Sequence, residues 1–257
     1  MSRRSTPARR EEILALLAEQ GEISVEALAH YFSTSEVTIR KDLALLEHDG
    51  QLIRRYGGAA VIPRQHGEQS KPVSPYKLAI AHQARSRLRD HARILIDSGS
   101  TTSALIPELS NVLGLVVMTN SLSVANALRA LDSKPALLMT GGTWDERSGA
   151  FQGQIAEQVI RAYDFDHLFI GADGIDIERG TTTFNELLHL SRVMAEVARE
   201  VVVMIESDKI GRRIPNLELA WSSIDVLITD ERLSDDIYDC IVARGVDVIR
   251  APCLSAN

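Results

Sequence analysis

The chain has few of the features that hold extracellular or membrane proteins together. It has only two cysteines, Cys240 and Cys253, with no histidine or further cysteine near them at metal-ligand spacing. We therefore expect reduced structural thiols, with neither a disulfide framework nor a metal site. No apolar run approaches the roughly 18–20 residues that span a bilayer, and the polar first seven residues do not resemble a signal peptide. These absences predict a soluble, cytoplasmic protein.

Charge is unevenly distributed along the 257 residues. The net charge of -7 on its own disfavours binding to nucleic acid. Residues 1–64 are nonetheless neutral, with nine Lys and Arg against nine Asp and Glu. Because phosphate contact depends on local potential, the charge of this segment permits DNA binding without establishing it. Its cations are clustered at Arg3-Arg4, Arg9-Arg10, Arg40-Lys41 and Arg54-Arg55.

The first fifty residues predict three short helices. Apolar residues at helical spacing indicate a helix over 8–20. Ser24 is suited to cap a second helix, and after a turn at 33–34 Ser35 is suited to cap a third that runs to about His48. Two helices joined by so tight a turn are typical of a helix-turn-helix.

The third predicted helix has one buried stripe and one polar face. Ile39, Leu43 and Leu46 fall at i, i+4 and i+7, which places them on the inward side. A helix that reads the major groove needs short polar and cationic groups in its first turns. The alternative is an ordinary solvent-exposed helix. The groups that lie off the stripe near the helix start are Val37, Thr38, Arg40 and Lys41.

A hairpin is predicted directly after these helices. Extended runs at 51–56 and 59–62 flank Gly57-Gly58, and a glycine pair between two such runs indicates a tight turn. Arg54 and Arg55 stand beside the tip of this two-stranded wing, where they could follow the phosphate backbone or enter a minor groove. The alternative for the two arginines is a solvated strand face.

Beyond a linker predicted at 63–75, which is rich in proline and polar residues, the pattern changes to alternating helices and strands. A helix over about 76–90 precedes the first strand. Nearly continuous apolar strands with helices between them indicate a mostly parallel sheet covered on both faces. The predicted strands are 93–97, 115–119, 136–140, 168–170, 201–205, 226–228 and 246–249.

Glycines and hydroxyl residues follow several of these strands. In parallel sheets ligands bind beyond the carboxyl ends of the strands, and backbone N–H groups, hydroxyls and helix starts there suit an anion. Asp97, Asp173 and Glu186 could accept hydrogen bonds from sugar hydroxyls, and Lys209 could hold a phosphate. The alternative is that turns simply need these residue types. Five such loops from one sheet edge favour a binding site.

Residues 8–62 resemble the DNA-binding part of the DeoR-type bacterial repressors. That family's signature is met by Ser35, Thr38–Leu43, Leu46-Glu47 and Arg55–Ala59, with Lys41 in place of the commoner arginine. Lys41 keeps the positive charge and loses bidentate geometry. The resemblance implies a winged helix-turn-helix over 1–62. The DNA-contacting residues it implies are Ser35, Glu36, Val37, Thr38, Arg40, Lys41, Arg54, Arg55, Tyr56, Gly57 and Gly58.

Residues 76–257 resemble the sensor domain of the same family, which is similar to ribose-5-phosphate isomerase and glucosamine-6-phosphate deaminase folds. Departures from the family pattern are Ser100, Asp208 and the run Asp90–Ala92. Short runs such as Met118–Leu122 and Thr182–Glu186 resemble the glucitol (sorbitol) branch of the family. The implied effector-binding residues are Asp97, Ser98, Gly99, Ser100, Thr101, Thr102, Thr119, Asn120, Gly141, Gly142, Asp173, Glu186 and Lys209.

Three functional hypotheses remain open at this point. The first is a repressor of a sugar or polyol operon, acting as a homodimer or homotetramer on operator DNA and controlled by a phosphosugar or polyol phosphate, without a cofactor. The second is a phosphosugar isomerase or deaminase with an appended DNA-binding head, in which Asp97, Asp173 or Glu186 would be the base. His189 is more simply a helix residue. The third is a DNA-binding protein without an effector.

Overall fold

The computed structural model describes residues 6–20, 22–48, 52–55, 58–61, 73–146, 148–185, 188–212 and 214–253. The chain divides into two compact units, Met1–Arg64 and Gln65–Asn257, and we describe each unit by itself. Among the described residues, no helix has the length and apolar content needed to cross a membrane. Cys240 and Cys253 are both free thiols, and Cys240 is exposed.

The N-terminal unit contains the three predicted helices and one small sheet. The sheet is antiparallel, with strand order β1-β3-β2, so the predicted two-stranded hairpin has a third strand that the sequence did not indicate. The elements are α1 (Thr6–Gln20), β1 (Glu22–Ser24), α2 (Val25–Tyr31), α3 (Glu36–His48), β2 (Leu52–Arg55) and β3 (Gly58–Val61).

Local hydrogen bonds explain where these helices begin and turn. The Ser24 hydroxyl accepts from the Ala27 amide at 3.0 Å, which caps α2. Between α2 and α3 the backbone of Ser33 has a φ of 49°, so the tight turn places a non-glycine residue in the left-handed region. The Ser35 hydroxyl accepts from the Thr38 amide at 3.3 Å, which confirms Ser35 as the cap of α3.

One small core holds the N-terminal unit together. Ile39, Leu43 and Leu46 are buried and pack with Leu28 of α2 and Ile13 of α1. The predicted inward stripe of α3 is therefore confirmed. Because that stripe is in the core, the opposite face of α3 is left to solvent, which is what an external ligand of this helix requires.

The C-terminal unit is an α/β domain with twelve strands and six α-helices among the described residues. Its strands are β4 (Arg93–Ile96), β5 (Val116–Thr119), β6 (Ala136–Met139), β7 (Thr143–Asp145), β8 (Ala150–Gln152), β9 (Phe165–Ile170), β10 (Gly174–Asp176), β11 (Gly180–Thr183), β12 (Ala198–Met204), β13 (Asn216–Ala220), β14 (Val226–Asp230) and β15 (Asp247–Ala251). Its helices are α4 (Pro75–Arg85), α5 (Ser100–Ser103), α6 (Leu122–Arg129), α7 (Gln154–Arg161), α8 (His189–Glu196) and α9 (Asp235–Val242).

Seven strands form one parallel sheet in the order β15-β14-β12-β9-β4-β5-β6. From β4 the chain moves outward through β5 to β6, and then returns to the other side of β4 to place β9, β12, β14 and β15. The winding direction therefore reverses between β4 and β9. In an open α/β sheet this reversal opens a crevice at the carboxyl ends of the two strands.

Side chains alternate between the two faces of this sheet. Ile94 and Ile96 of β4 pack into one buried cluster with α4 and α6, whereas Leu95 packs into a second cluster with α7 and α8. Each fully buried aliphatic side chain contributes about 1.5–3 kcal/mol relative to an exposed one. The predicted parallel sheet covered on both faces is thus confirmed, and both cores support the strand ends.

Two smaller antiparallel sheets were not predicted. Strands β10, β11 and β13 form one, and β7 pairs with β8 in the other. These strands are three to five residues long, too short to give a long apolar run in the sequence. They lie between the larger elements in sequence, and β10 and β11 follow the carboxyl end of β9.

Candidate functional site

The first turn of α3 presents the polar groups predicted to contact DNA. Ser35, Glu36 and Val37 are exposed, and 59% of the Val37 surface is accessible. The Ser35 and Thr38 hydroxyl oxygens are 2.9 Å apart. This hydrogen bond holds both hydroxyls at the helix start, where base edges meet a recognition helix.

Arg40 and Lys41 are also exposed, one turn further along α3. The Arg40 guanidinium donates to the Glu36 carboxylate at 2.7 Å, an i,i+4 pair with both side chains about half exposed. Such surface pairs contribute only about 0.3–0.5 kcal/mol, so Arg40 can leave Glu36 for a stronger acceptor. Glu36 therefore orients Arg40 without fixing it.

Asp42 has a structural role within this helix. Its carboxylate is 2% exposed and accepts from Arg9 at 2.6 Å and from Arg10 at 3.0 Å. These two ion pairs connect α1 to α3. Arg9 and Arg10, which the charge pattern grouped with the cations available to phosphate, are thus engaged inside the protein.

The predicted hairpin residues are only partly within the described chain. Arg54 and Arg55 lie in β2, paired with Ala59 and Gly58 of β3. Gly58 begins β3, whereas Tyr56 and Gly57 lie outside the described residues. The backbone of β2 and β3 is therefore the hairpin that the extended runs predicted.

In the C-terminal unit, Asp97 and Asp173 follow the two strands at the reversal point. Asp97 comes directly after β4, and its amide donates to the Phe169 carbonyl of β9 at 3.1 Å. Burial raises the pKa of Asp97 to about 6 against the opposing effect of the Ser98 amide, and the charge on Asp173 adds to the rise. The two carboxyl groups predicted separately from the sequence are therefore close together.

Asp173 is held by the neighbouring hairpin. Its carboxylate accepts from the Thr183 hydroxyl at 2.8 Å and from the Phe184 amide at 3.1 Å. Both donors stand at the end of β11, so the small antiparallel sheet fixes the orientation of this carboxylate. A carboxylate held in this way keeps one side free for a further donor.

The loop after β4 uses several of its own hydroxyls. The Thr102 hydroxyl contacts the Asp97 and Gly99 carbonyls at 3.0 Å each, and Thr101 is buried. The helix that follows this loop is short, since α5 spans only Ser100–Ser103. A helix of four residues supplies little of the dipole expected for anion binding. Thr101 and Thr102 therefore shape the loop.

Ser100 faces a lysine that the sequence did not single out. The Lys77 ammonium of α4 donates to the Ser100 hydroxyl at 3.0 Å and lies 3.8 Å from the Glu206 carboxylate. The charge of the Lys77 ammonium group also acts on Lys209. Burial lowers the pKa of Lys209 and the charge of Lys77 adds to this, whereas Asp173 acts in the opposite direction. The charges of the two ammonium groups therefore interact.

Thr119 ends β5, Asn120 follows it, and both are fully buried. The Thr119 hydroxyl accepts from the Ser121 amide at 3.1 Å. The Asn120 side chain is close enough to Asp97 to lower the pKa of that carboxyl. Within the described residues, however, neither amide atom of Asn120 makes a hydrogen bond of acceptable geometry. A buried amide without partners is costly, so a bound group could satisfy it.

Gly141 and Gly142 follow β6, as predicted, and have φ values of 60° and 114°. A Cβ atom on Gly142 would stand 2.6 Å from the Gln152 carbonyl oxygen. The turn and the close approach of β8 therefore require glycine at this position, independently of any ligand. This is the turn explanation that the sequence left open.

Glu218 is a buried carboxyl group in this region that sequence reasoning missed. It lies in β13, 8% exposed, and accepts from the Ser191 hydroxyl at 2.8 Å. Burial raises its pKa to about 8, and the charges of Asp97 and Asp173 add to the rise. The sequence feature that could have indicated it is a single acidic residue within the apolar run Leu217–Trp221. Lys77 had no comparable signal, because it precedes the first strand of the sheet.

A second layer of contacts positions the turn that carries Lys209. The Asp230 carboxylate accepts from the Ser207 amide at 2.7 Å and from the Ser207 hydroxyl at 2.8 Å. It also accepts from Arg232, and the Arg232 guanidinium lies 3.6 Å above the Tyr76 ring. Burial acts to raise the pKa of Asp230, but the donors outweigh it and lower the pKa to about 2. Asp230 therefore stays ionised and holds the Ser207–Lys209 turn.

Two further predicted residues are not part of this arrangement as described. Glu186 lies outside the described residues. His189 begins α8 and is exposed, which agrees with its interpretation as a helix residue. Among the described residues, no cluster of His, Cys, Asp and Glu has a geometry that could hold a metal ion.

Two family models match the chain in the order of its two units. The DeoR-like helix-turn-helix domain matches residues 9–65, and the DeoR C terminal sensor domain matches residues 74–231. A helix-turn-helix head joined to a parallel α/β domain with a polar strand-end site defines the class of ligand-sensing, DNA-binding regulators. The chain belongs to the DeoR family of transcriptional regulators. The family resemblance of the sequence is thereby confirmed.

Individual relatives agree with this assignment. An aga operon transcriptional repressor from Escherichia coli O157:H7 is 36% identical over 252 residues, which cover 95% of this chain and 93% of that protein. The regulator GlpR of Haloferax volcanii is 33% identical over 250 residues, covering 94% and 96%. The structure of ribose 5-phosphate isomerase A from Methanocaldococcus jannaschii aligns with a TM-score of 0.38 and 20% identity, over 52% of this chain and 53% of that chain. A likeness this weak carries no argument about activity. The enzyme hypothesis is not favoured.

Proposed function

We propose that the protein is a transcriptional repressor of a sugar or polyol utilisation operon, and that a phosphosugar or polyol phosphate bound at the sensor strand ends controls it. The observation that carries this proposal is the set of polar groups after the strands where the sheet reverses direction: Lys77 bonded to Ser100, the carboxyl groups of Asp97 and Asp173, and a buried Asn120 amide without a hydrogen-bond partner among the described residues. That set offers positive charge for a phosphate and hydrogen-bond partners for hydroxyls.

In the DNA-binding part, α3 would enter the major groove. Ser35, Val37, Thr38 and Arg40 would meet base edges, and Lys41 would meet phosphate; the exposure of this helix face supports the assignment. Glu36 would position Arg40 before contact. We assign Arg54, Arg55 and the Tyr56–Gly58 tip to the DNA backbone or the minor groove, as in a wing. Reading a palindromic operator requires at least a dimer, and a tetramer would satisfy the same need.

In the sensor part, the phosphate would bind between Lys77, Lys209 and the Ser98–Ser100 loop. Asp97, Asp173 and Asn120 would then face the hydroxyl end of the effector. Thr101, Thr102 and Thr119 would support the loops from behind, and Gly141-Gly142 would close the far side. Binding would shift the population of sensor conformers and so change the affinity of the heads for DNA.

The identity of the operon is a finer proposal. Short runs such as Thr182–Glu186 favour glucitol, whereas the relative that is 36% identical is named for the aga operon. Both indications concern sugar-type metabolites. We therefore place glucitol and glucitol 6-phosphate among the effectors to be tested, together with hexose phosphates.

The proposal is tested by a DNA-binding titration in the presence of effectors. Double-stranded fragments selected from a random pool by the full-length protein would be titrated alone and with glucitol, glucitol 6-phosphate and related phosphosugars. One phosphosugar should change DNA affinity by about 5- to 150-fold. If no phosphosugar changed either DNA affinity or melting temperature, the sensor assignment would be wrong. Turnover of a phosphosugar would instead support the enzyme hypothesis.

A further inference from the structure

The first turn of α4 is bound by loops at the carboxyl end of the parallel sheet. Ser74 caps the helix, because its hydroxyl accepts from the Tyr76 amide at 3.3 Å. The same hydroxyl donates to the Glu206 carboxylate, which follows β12, at 2.8 Å. One residue after Tyr76, the Lys77 ammonium donates to Ser100 of the loop after β4 at 3.0 Å and lies 3.8 Å from Glu206. Glu206 therefore binds this turn at two of its side chains.

A third loop reaches the same turn through an aromatic contact. The Arg232 guanidinium lies 3.6 Å from the centre of the Tyr76 ring, in a cation–π arrangement. Arg232 follows β14 and is held by Asp230 at 2.6 and 3.1 Å, and Asp230 also holds Ser207, the neighbour of Glu206. We call this set of contacts the α4 clamp. Its residues are Ser74, Tyr76 and Lys77 of α4 and its cap, together with Ser100, Glu206 and Arg232 of the loops.

The rest of α4 is fixed in a different way. Ser74, Tyr76 and Lys77 are only partly buried, whereas the body of the helix packs into the apolar core beside β4. The buried residues of this body are Ala79, Ile80, Ala81 and Ala84. A segment with little buried apolar surface can rearrange at a lower free-energy cost than the core that follows it. The first turn of α4 can therefore change its contacts while the helix body stays packed.

This turn is also where the chain from the N-terminal unit reaches the helices of the sensor domain. The N-terminal unit ends at Arg64, and among the described residues α4 is the first helix of the other unit. A change in the first turn of α4 thus alters the point at which the connecting chain is attached.

An anion bound at Lys77 and Ser100 would act directly on the clamp. The side chains of Lys77 and Glu206 are only 21% and 15% exposed, so a charge brought beside them is weakly screened. The negative charge of the ligand would repel the Glu206 carboxylate and compete with it for the Lys77 ammonium. Occupation of the anion site and the hold of Glu206 on α4 therefore oppose each other.

We propose that the α4 clamp is the conformational element through which the sensor site controls the DNA-binding unit, and that Glu206 is its positioning residue. This inference rests on the proposed function, and it applies to any anionic effector. Without a competing anion, Glu206 holds Ser74 and Lys77. With an anion at Lys77, Glu206 is displaced and the first turn of α4 takes a second arrangement. The populations of the two arrangements set the affinity for DNA.

The clamp is tested by removing its carboxylate and measuring DNA binding with no effector present. Full-length E206A should differ from the wild-type protein by at least about fivefold in its affinity for DNA selected by the wild-type protein. Fivefold is the lower end of typical coupling between sites. E196A removes an exposed carboxylate that pairs with Arg161 in α8, and it should keep the wild-type affinity. If E206A bound DNA within twofold of E196A, the clamp would not control the DNA-binding unit.

Hydrogen exchange separates this effect from damage to the head. Peptides from 6–48 should be equally protected in E206A and E196A, because Glu206 lies in the other unit. Loss of protection there in E206A alone, without DNA, would mean that the changed affinity comes from an unstable head, and it would count against the clamp.

A second variant removes the other side of the same contact. S74A lacks the hydroxyl that binds Glu206, and it should change DNA affinity in the same direction as E206A. The double variant S74A/E206A should stay within about twofold of the larger single effect, because the two changes remove one shared contact. S86A removes an exposed hydroxyl at the other end of α4 and should have no effect. Fully additive or opposite effects of S74A and E206A would contradict a shared clamp.

Titration with the phosphosugar panel distinguishes this inference from the proposed function. A phosphosugar that changes the DNA affinity of the wild-type protein should have a smaller effect on E206A, because the clamp it acts on is already broken. An equal effect on both proteins would refute the clamp and leave the proposed function intact. If no phosphosugar acted on the wild-type protein, the proposed function would be wrong, and the DNA affinity of E206A without ligand would still decide whether α4 is coupled to the head.

Discussion

At the scale of single residues, Arg40 offers the clearest test of the DNA-binding surface. Its guanidinium is exposed, and Glu36, with which it pairs, lies one turn away on the same helix. R40A should weaken binding to selected DNA about 5- to 150-fold, since a bidentate base contact contributes about 1–3 kcal/mol. The melting temperature should be unchanged because the lost surface pair is weak. Fluorescence anisotropy titration measures the affinity.

The matched control is R129A. Arg129 is exposed in the last turn of α6, in the other unit, and its removal should leave DNA affinity at the wild-type value. If R40A bound DNA as tightly as R129A, the assignment of α3 as the recognition helix would have to be abandoned.

The residue scale also marks the limit of sequence reasoning. Ser35 was predictable as a cap because its role depends only on the three residues that follow it. Asp97 and Asp173 were predictable because each lies in the loop after an apolar strand. Glu218 and Lys77 were not, because β13 belongs to an antiparallel sheet and α4 precedes the parallel one. Their proximity to the site is a product of tertiary packing.

At the scale of elements, the contact between α1 and α3 depends on one carboxylate. Asp42 is buried, and the two arginines it binds have side chains only 14% and 30% exposed. D42A would remove the carboxylate that pairs with Arg9 and Arg10, and both guanidinium groups would remain largely shielded from solvent. Because breaking a buried ion pair costs about 3–5 kcal/mol, the N-terminal unit should be strongly destabilised.

Hydrogen exchange can localise this effect. Both tryptophans, Trp144 and Trp221, lie in the C-terminal unit, so tryptophan fluorescence would not report on the head. In D42A, peptides from 6–48 should lose protection while peptides from the parallel sheet keep it. E36A, which removes an exposed carboxylate from the same helix, should change protection little. Equal loss of protection in D42A and E36A would mean that the buried pairs do not hold α1 to α3.

The elements differ in how far sequence predicts them. The seven strands of the parallel sheet were visible because strands buried on both faces are continuously apolar. Strands β10, β11 and β13 were not, since they are only three to five residues long and none has a long apolar run. These short strands nevertheless carry Glu218 and the Thr183 hydroxyl that holds Asp173. Periodicity thus describes least well the short strands that orient Asp173 in the candidate site.

At the scale of the whole molecule, the proposed function joins two binding events in one chain. The units are separately packed, and each has its own core. Communication between them therefore has to be carried by a shared conformational equilibrium that both ligands bias. Such an equilibrium predicts a measurable coupling between effector affinity and DNA affinity, which neither unit has alone.

If effector and DNA bias the same equilibrium, their effects on each other are reciprocal. The factor by which saturating effector changes DNA affinity should equal the factor by which saturating DNA changes effector affinity. We expect this factor to be about 5- to 150-fold, whether the effector raises or lowers DNA affinity. Calorimetric titration of effector into free protein and into the DNA complex gives the second factor. In R40A, DNA at a concentration well below the weakened Kd of the variant should leave effector affinity unchanged, because few heads are then bound to DNA. A factor of one in both directions in the wild-type protein would show that effector and DNA do not share an equilibrium, and this account of regulation would then fail.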